Sequence, residues 1–231
     1  MKRWFVWVVA AALAGSDARA ADPPHIVPGV RYIYLIRHGV YDRDDKADDR
    51  VGNGLNALGR EQARLIGERL AKLPVRMTSL VSSDYTRARE TADIMGRMLE
   101  LTSGRDSLLH ECTPPSERAT IMDQHSAQEL GSCEASLAAV WAKYMRPSPG
   151  ADHHDVLVCH GNVIRWLTSR SLGVDTRHWS SMEIANASLT VILVRADSTT
   201  RLVMFNDVGH LPVDRQTWTG SGAGWGSPAT R

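Results

Sequence analysis

The chain has 231 residues, with 27 Lys and Arg set against 26 Asp and Glu for a formal charge of +1. That balance excludes the broad basic field that captures nucleic acid. A composition of 43% hydrophobic and 23% charged residues is that of a globular protein. The length suits one domain with a substantial core, and no spaced Cys/His cluster has the pattern of a zinc site.

The basic start Met1-Lys2-Arg3 runs into an apolar stretch, residues 4–15. This is shorter than the ~20 residues of a membrane-spanning helix. Ala18-x-Ala20 then supplies a small-x-small cleavage site. We read residues 1–20 as a signal peptide and 21–30, with their prolines, as an extended leader. An uncleaved membrane anchor is the alternative, favoured by Trp4 and Trp7. Either way the expected setting is periplasmic or secreted, where Cys112 and Cys133 can pair or remain free thiols. Cys159 ends an apolar run and reads as a buried small side chain.

The domain is expected over residues 31–212. A strand at 32–36 leads into Arg37-His38-Gly39, followed by a polar loop with an acidic run at 42–49. Asn56 is placed to cap a helix over 57–73, where Leu58, Leu65, Ile66, Leu70 and Leu73 recur at helical spacing before Pro74. A short strand at 78–81 is followed by Ser82-Ser83-Asp84, opening a helix to about 101. Residues 108–111 read as a strand, 112–124 as a proline-containing loop and 126–145 as a helix. After a turn-rich linker at 147–154, a buried strand at 156–159 runs into His160-Gly161. Asn162 is expected to cap a helix to 172, and strands follow at 189–194 and 201–205. Residues 213–231 read as a flexible tail. Strands alternating with helices predict an α/β fold of three layers, α/β/α, around a mostly parallel sheet.

In such a sheet the strand ends share one edge, so Arg37-His38-Gly39, the SSDYTRARET segment at 82–91, Leu109-His110-Glu111 and His160-Gly161-Asn162 can converge on one pocket. Their inventory suits phosphoryl transfer, where positioning and charge stabilisation carry most of catalysis. Arg37, Arg87 and His160 supply phosphate donors, His38 a nucleophile, and Glu111 a proton donor that can then activate water. The cationic side chains stand where a metal would otherwise serve, so neither metal nor cofactor is expected.

These motifs, with LNALGREQA at 55–63, resemble the histidine phosphatase superfamily, the phosphoglycerate-mutase-like fold, across residues 32–212. The resemblance implies a phosphohistidine on His38, a phosphate pocket of Arg37, Arg87 and His160, and Glu111 as the acid. VLVCHGNVIR at 156–165 and the NDVGHLP ending at 206–212 are most like the superfamily's mitochondrial protein serine/threonine phosphatases. Gly161 stands where the phytase and acid-phosphatase branch carries Asp. The expected activity is hydrolysis of phosphate monoesters, small molecules or phosphopeptides, by a monomer or dimer. The membrane is a partner only if the N-terminal segment stays uncleaved. Two alternatives are a phosphoglycerate mutase, disfavoured by the export signal and a short insert before His160, and an idle phospho-ligand-binding module, disfavoured by the intact set of site residues. The acidic run lacks the central glycine and terminal Glu of a calcium loop. We read it as a solvated loop near the pocket mouth that disfavours highly anionic substrates and tolerates basic phosphopeptides.

Overall fold

The computed structural model describes residues 29–218. The expected signal peptide, nearly all of the expected leader and residues 219–231 lie outside the described residues. Among the described residues, no helix is long and apolar enough to cross a membrane.

The strands are β1 (Arg31–Arg37), β2 (Ser79–Ser82), β3 (Gly104–Arg105), β4 (His153–Cys159), β5 (Leu189–Val194) and β6 (Thr200–Asp207), in the spatial order β3-β2-β4-β1-β5-β6. The first four in that order pair in parallel, whereas β5 runs antiparallel to both β1 and β6. The sheet is therefore parallel over the half that carries the chemistry and antiparallel at the other edge.

Side chains alternate across each strand, and the two sets meet different helices. Ile33, Leu35 and Leu157 pack with Leu137 and Val140 of α4 (Ala127–Tyr144) and with Val163, Ile164 and Leu167 of α5 (Gly161–Ser171). Tyr34, Ile36, Val156 and Val158 pack with Ile66 and Leu70 of α1 (Ala57–Ala71) and with Ala88, Ala92 and Met95 of α2 (Thr86–Leu99). Both faces are covered, giving the three α/β/α layers. A four-residue helix, α3 (Ala119–Met122), interrupts the proline-containing loop.

Several local expectations change, each for a local reason. The strand expected at 108–111 is instead a 3-10 turn at Ser107–Leu109. Asp106 ends β3 by accepting Leu108 N–H at 3.1 Å, and its carboxylate also binds Lys143 and Tyr144 of α4. Helix α2 starts at Thr86 rather than at 82–84, because Ser83 still donates to Val158 O at 3.0 Å and prolongs the ladder. Strand β4 begins inside the expected linker, since His153 N–H bonds Val30 O and Tyr32 stacks on His154. Asn162 does not cap α5. That position belongs to His160, whose carbonyl takes Ile164 N–H at 3.1 Å. Residues 213–218, assigned to the tail, pack on the domain: Gln62 Nε2 donates to Arg215 O and Thr217 bonds Asn186. Asn56 caps α1 as expected, accepting Gly59 N–H at 2.9 Å.

Candidate active site

Strand register sets the floor of the site. Arg37 on β1 pairs with Cys159 on β4, so the next residues, His38 and His160, emerge side by side, while Ser82 on β2 pairs with Val158 and sets Ser83 level with Cys159, one step behind. The ladder continues one step past β1, with His38 N–H donating to Cys159 O at 3.1 Å. The His38 and His160 rings lie 5.1 Å apart between centroids. Gly39 follows because its backbone lies against Gly59 at the start of α1, where a Cβ on either residue would collide with main-chain atoms.

His38 is 2% exposed and held at both ring nitrogens. Nδ1 lies 2.8 Å from Gly39 O, so it carries the hydrogen, and Nε2 accepts from Arg87 Nε at 3.3 Å. Burial first, then the charges of Arg37 and Arg87, hold the imidazole well below the usual histidine range. Nε2 is therefore unprotonated at neutral pH. His160, fully buried, pairs Nε2 with Ser83 Oγ at 2.9 Å, and its Nδ1 has no protein partner. Burial, and next the neighbouring His38, also keep it neutral.

Arg37 donates to Ile184 O and reaches the start of α5, since a Cβ on Gly161 would stand 3.8 Å from its guanidinium carbon. Burial lowers it to about 10, still a cation at neutral pH. Arg87 lies in the first turn of α2, with its guanidinium over the rings of Tyr41 and Tyr85 and paired to Asp49. Glu111 arrives on the segment after the 3-10 turn and accepts Asn162 N–H at 3.2 Å. Burial pushes its carboxyl above the usual glutamate range, against the opposing pull of Arg37, Arg87 and Arg165.

All the expected site residues except His160 line one cavity of about 570 Å³, and the His160 ring lies beside that of His38. Arg89 and Glu90 turn away, Arg89 to Arg50 O and Glu90 to Leu55 N–H. Asn162 holds the acid in place: its backbone takes Glu111 and its side chain donates to Cys112 O at 3.0 Å. Cys112 and Cys133 form a disulfide, and Cys159 is free and buried.

Sequence reasoning assigned no role to Arg165, Tyr41, Tyr85 or Ser83. Arg165 lines the cavity while donating to Asn162 and Glu183. It lies one helical turn after Asn162, so the i, i+3 spacing on α5 was the available signal. Nothing local marks Tyr41 or Ser83. Together the groups offer an unprotonated imidazole nitrogen, a carboxyl whose proton affinity burial raises, and a ring of cations around one concave space, a set suited to transfer of a phosphoryl group.

The chain belongs to the histidine phosphatase superfamily, whose branch 1 family model matches residues 33–117 and 131–208. It is a phosphatase, a phosphoric monoester hydrolase. The mitochondrial serine/threonine-protein phosphatase PGAM5 of Xenopus tropicalis is 32% identical over 196 residues, covering 83% of this chain and 69% of that one. Its counterpart from Homo sapiens is 32% identical over 211 residues, covering 88% and 72%. A phosphoglycerate mutase from Bacillus anthracis shares the fold, with a TM-score of 0.60 at 19% identity over 80% of this chain and 96% of that one. The phosphatase relatives weigh against the mutase reading.

Proposed function

We propose that His38 is the nucleophile of a two-step phosphomonoester hydrolysis and that the substrates include phosphoserine and phosphothreonine in proteins. His38 Nε2 attacks phosphorus as the ester P–O bond breaks, and Glu111 gives its proton to the departing oxygen. Arg37, Arg87 and His160 hold the equatorial oxygens, helped by the amide groups at the start of α5. Glu111, now a carboxylate, takes a proton from water as the water attacks phosphorus. The N–P bond breaks, releasing inorganic phosphate and restoring both residues.

The observation that carries this reading is the bond from His38 Nδ1 to Gly39 O, which fixes the tautomer and leaves Nε2 as the attacking atom. The protein-substrate component rests on the names of the two phosphatase relatives. Mass spectrometry after a rapid acid-free quench tests the mechanism: phosphate should be found on His38 of the wild type and be absent from His38→Ala. Turnover of 3-phosphoglycerate exceeding that of phosphothreonine peptides would contradict the substrate assignment.

Export is the second part of the proposal. It rests on the basic-apolar-small pattern of residues 1–20 and on the Cys112–Cys133 pair, a bond that persists in oxidising compartments. Cell fractionation with N-terminal sequencing of the mature protein tests it. A cytosolic protein retaining Met1 would overturn it.

A further inference from the structure

The buried cation at the centre of the phosphate pocket already has an anion of its own. The Arg87 side chain, 5% exposed, spends Nε on His38 and Nη1 on Asp49, whose carboxylate is 37% exposed. Asp49 is held there by a docked loop. Its carbonyl accepts Thr86 N–H, the first amide of α2, at 2.9 Å. Thr86 Oγ1 and Arg89 Nη2 both donate to Arg50 O, at 2.9 and 3.1 Å. Asn53 Nδ2 donates to the Asp49 carboxylate at 3.0 Å. The loop thus satisfies the open amide end of α2 and, in doing so, delivers a fixed negative charge to the guanidinium expected to grip phosphate.

A phosphoryl group bound between His38 and Arg87 must share that guanidinium with Asp49 and sit beside a like charge. The penalty falls hardest on free phosphate and on small esters whose charges are all negative. It is offset when the substrate brings a cation to the same place, since that cation then faces Asp49, with Asp44 and Asp45 further along the same wall.

We propose that Asp49 is a specificity-determining residue that selects phosphomonoesters carrying a cation beside the phosphate, in particular phosphoserine and phosphothreonine peptides with an adjacent Lys or Arg. This rests on the phosphatase mechanism above. The same charge weakens the hold on inorganic phosphate and so limits product inhibition. A purely orienting role for Asp49 gives the opposite sign, because loosening Arg87 would then weaken phosphate binding.

The test compares kcat/KM for two phosphothreonine peptides that differ only in Lys or Gln next to the phosphorylated residue, together with inhibition by inorganic phosphate, in wild type and Asp49→Asn. The wild type should prefer the Lys peptide by about fivefold, a preference reduced to near unity in the variant, and phosphate inhibition should tighten by a similar factor. An unchanged peptide preference, or weaker phosphate inhibition, in Asp49→Asn would overturn the proposal. Should that variant not fold, the wild-type preference must decline as salt is raised; a salt-independent ratio overturns the proposal equally. If neither peptide is hydrolysed while a small ester is turned over in a His38-dependent way, the selection by Asp49 fails and the mechanism stands. If His38→Ala matches wild type on every substrate, the mechanism itself fails.

Discussion

The floor and the rim of the pocket are built by different means. The floor consists of Arg37, His38, Arg87 and His160, with exposures of 6%, 2%, 4% and 0%. Three of these follow directly from parallel strand ends, and their positions are fixed by β1–β4 and β2–β4 register. The rim consists of the loop from Tyr41 to Asn53 and the segment from His110 to Ser116. It lies outside the sheet and is fastened by side chains: Asp49 on Arg87, Asn162 on Cys112 O, Trp179 Nε1 on Pro115 O, and the Cys112–Cys133 disulfide. The difference separates two tasks. On the proposed mechanism, attack on phosphorus depends on the sheet, whereas proton supply and substrate choice depend on attachments that can change without disturbing it.

The strongest test of that division is the floor itself. His38→Ala should lower kcat by at least about 10³-fold on every phosphomonoester, since no rim residue can replace a missing nucleophile. Steady-state assays on a large and a small substrate check this, and a loss confined to one of them would break the comparison.

Removing Glu111, the proposed proton donor, should cost less and depend on the leaving group. Glu111→Gln is expected to lower kcat about 10²-fold on phosphoserine peptides. It should have far less effect on p-nitrophenyl phosphate, whose phenolate leaves without help. Equal losses on both would show that Glu111 serves the floor instead.

The pH profile sharpens the comparison further. Burial, Arg37 and Arg87 hold His38 well below 6.5, so its nucleophilic form persists into acid. Burial raises Glu111 above 4.5, so its acid form persists upward from there. Activity should therefore peak between mildly acidic and neutral pH and fall on the alkaline side as Glu111 deprotonates, and Glu111→Gln should lose that limb alone. A maximum above about pH 9 contradicts both roles. Stability follows its own sign. His38 and His160 are neutral in the fold but take up protons below 6.5 when unfolded, so their contribution is present above 6.5 and lost as pH falls below it. Glu111 acts oppositely, its contribution being lost as pH rises from 4.5 through its raised folded value. Melting temperature against pH measures the balance.

The smallest expected effect on chemistry comes from the disulfide. Cys133→Ser should reduce stability by about 3 kcal/mol, judged by urea denaturation. It should lower kcat only a few-fold, because Asn162 still holds both Glu111 and Cys112 O.

Much of this was legible in the chain because its signals are local. The apolar strands before Arg37 and His160 and the Asn56 cap each announce themselves within a few residues. Errors fell where a distant group decides. Asp106 converts an apolar run into a turn only because Lys143 and Tyr144 meet it. Residues 213–218 pack on the domain because Gln62 and Asn186 bind Arg215 and Thr217. The acidic run read as a solvated loop because charge patterning says nothing of which carboxylate finds a buried arginine.

The sequence by itself determined the alternation of strands and helices, the family, and the residue types of the proposed phosphate pocket, since these are written as periodicity, caps and short motifs. Tertiary structure alone decided that Nδ1 of His38 carries the proton and Nε2 does not, that Asn162 binds Glu111 rather than capping α5, and that Asp49 pairs with Arg87. The reason is that tautomer, proton affinity and ion pairing depend on burial and on partners far away in sequence, which no local pattern encodes.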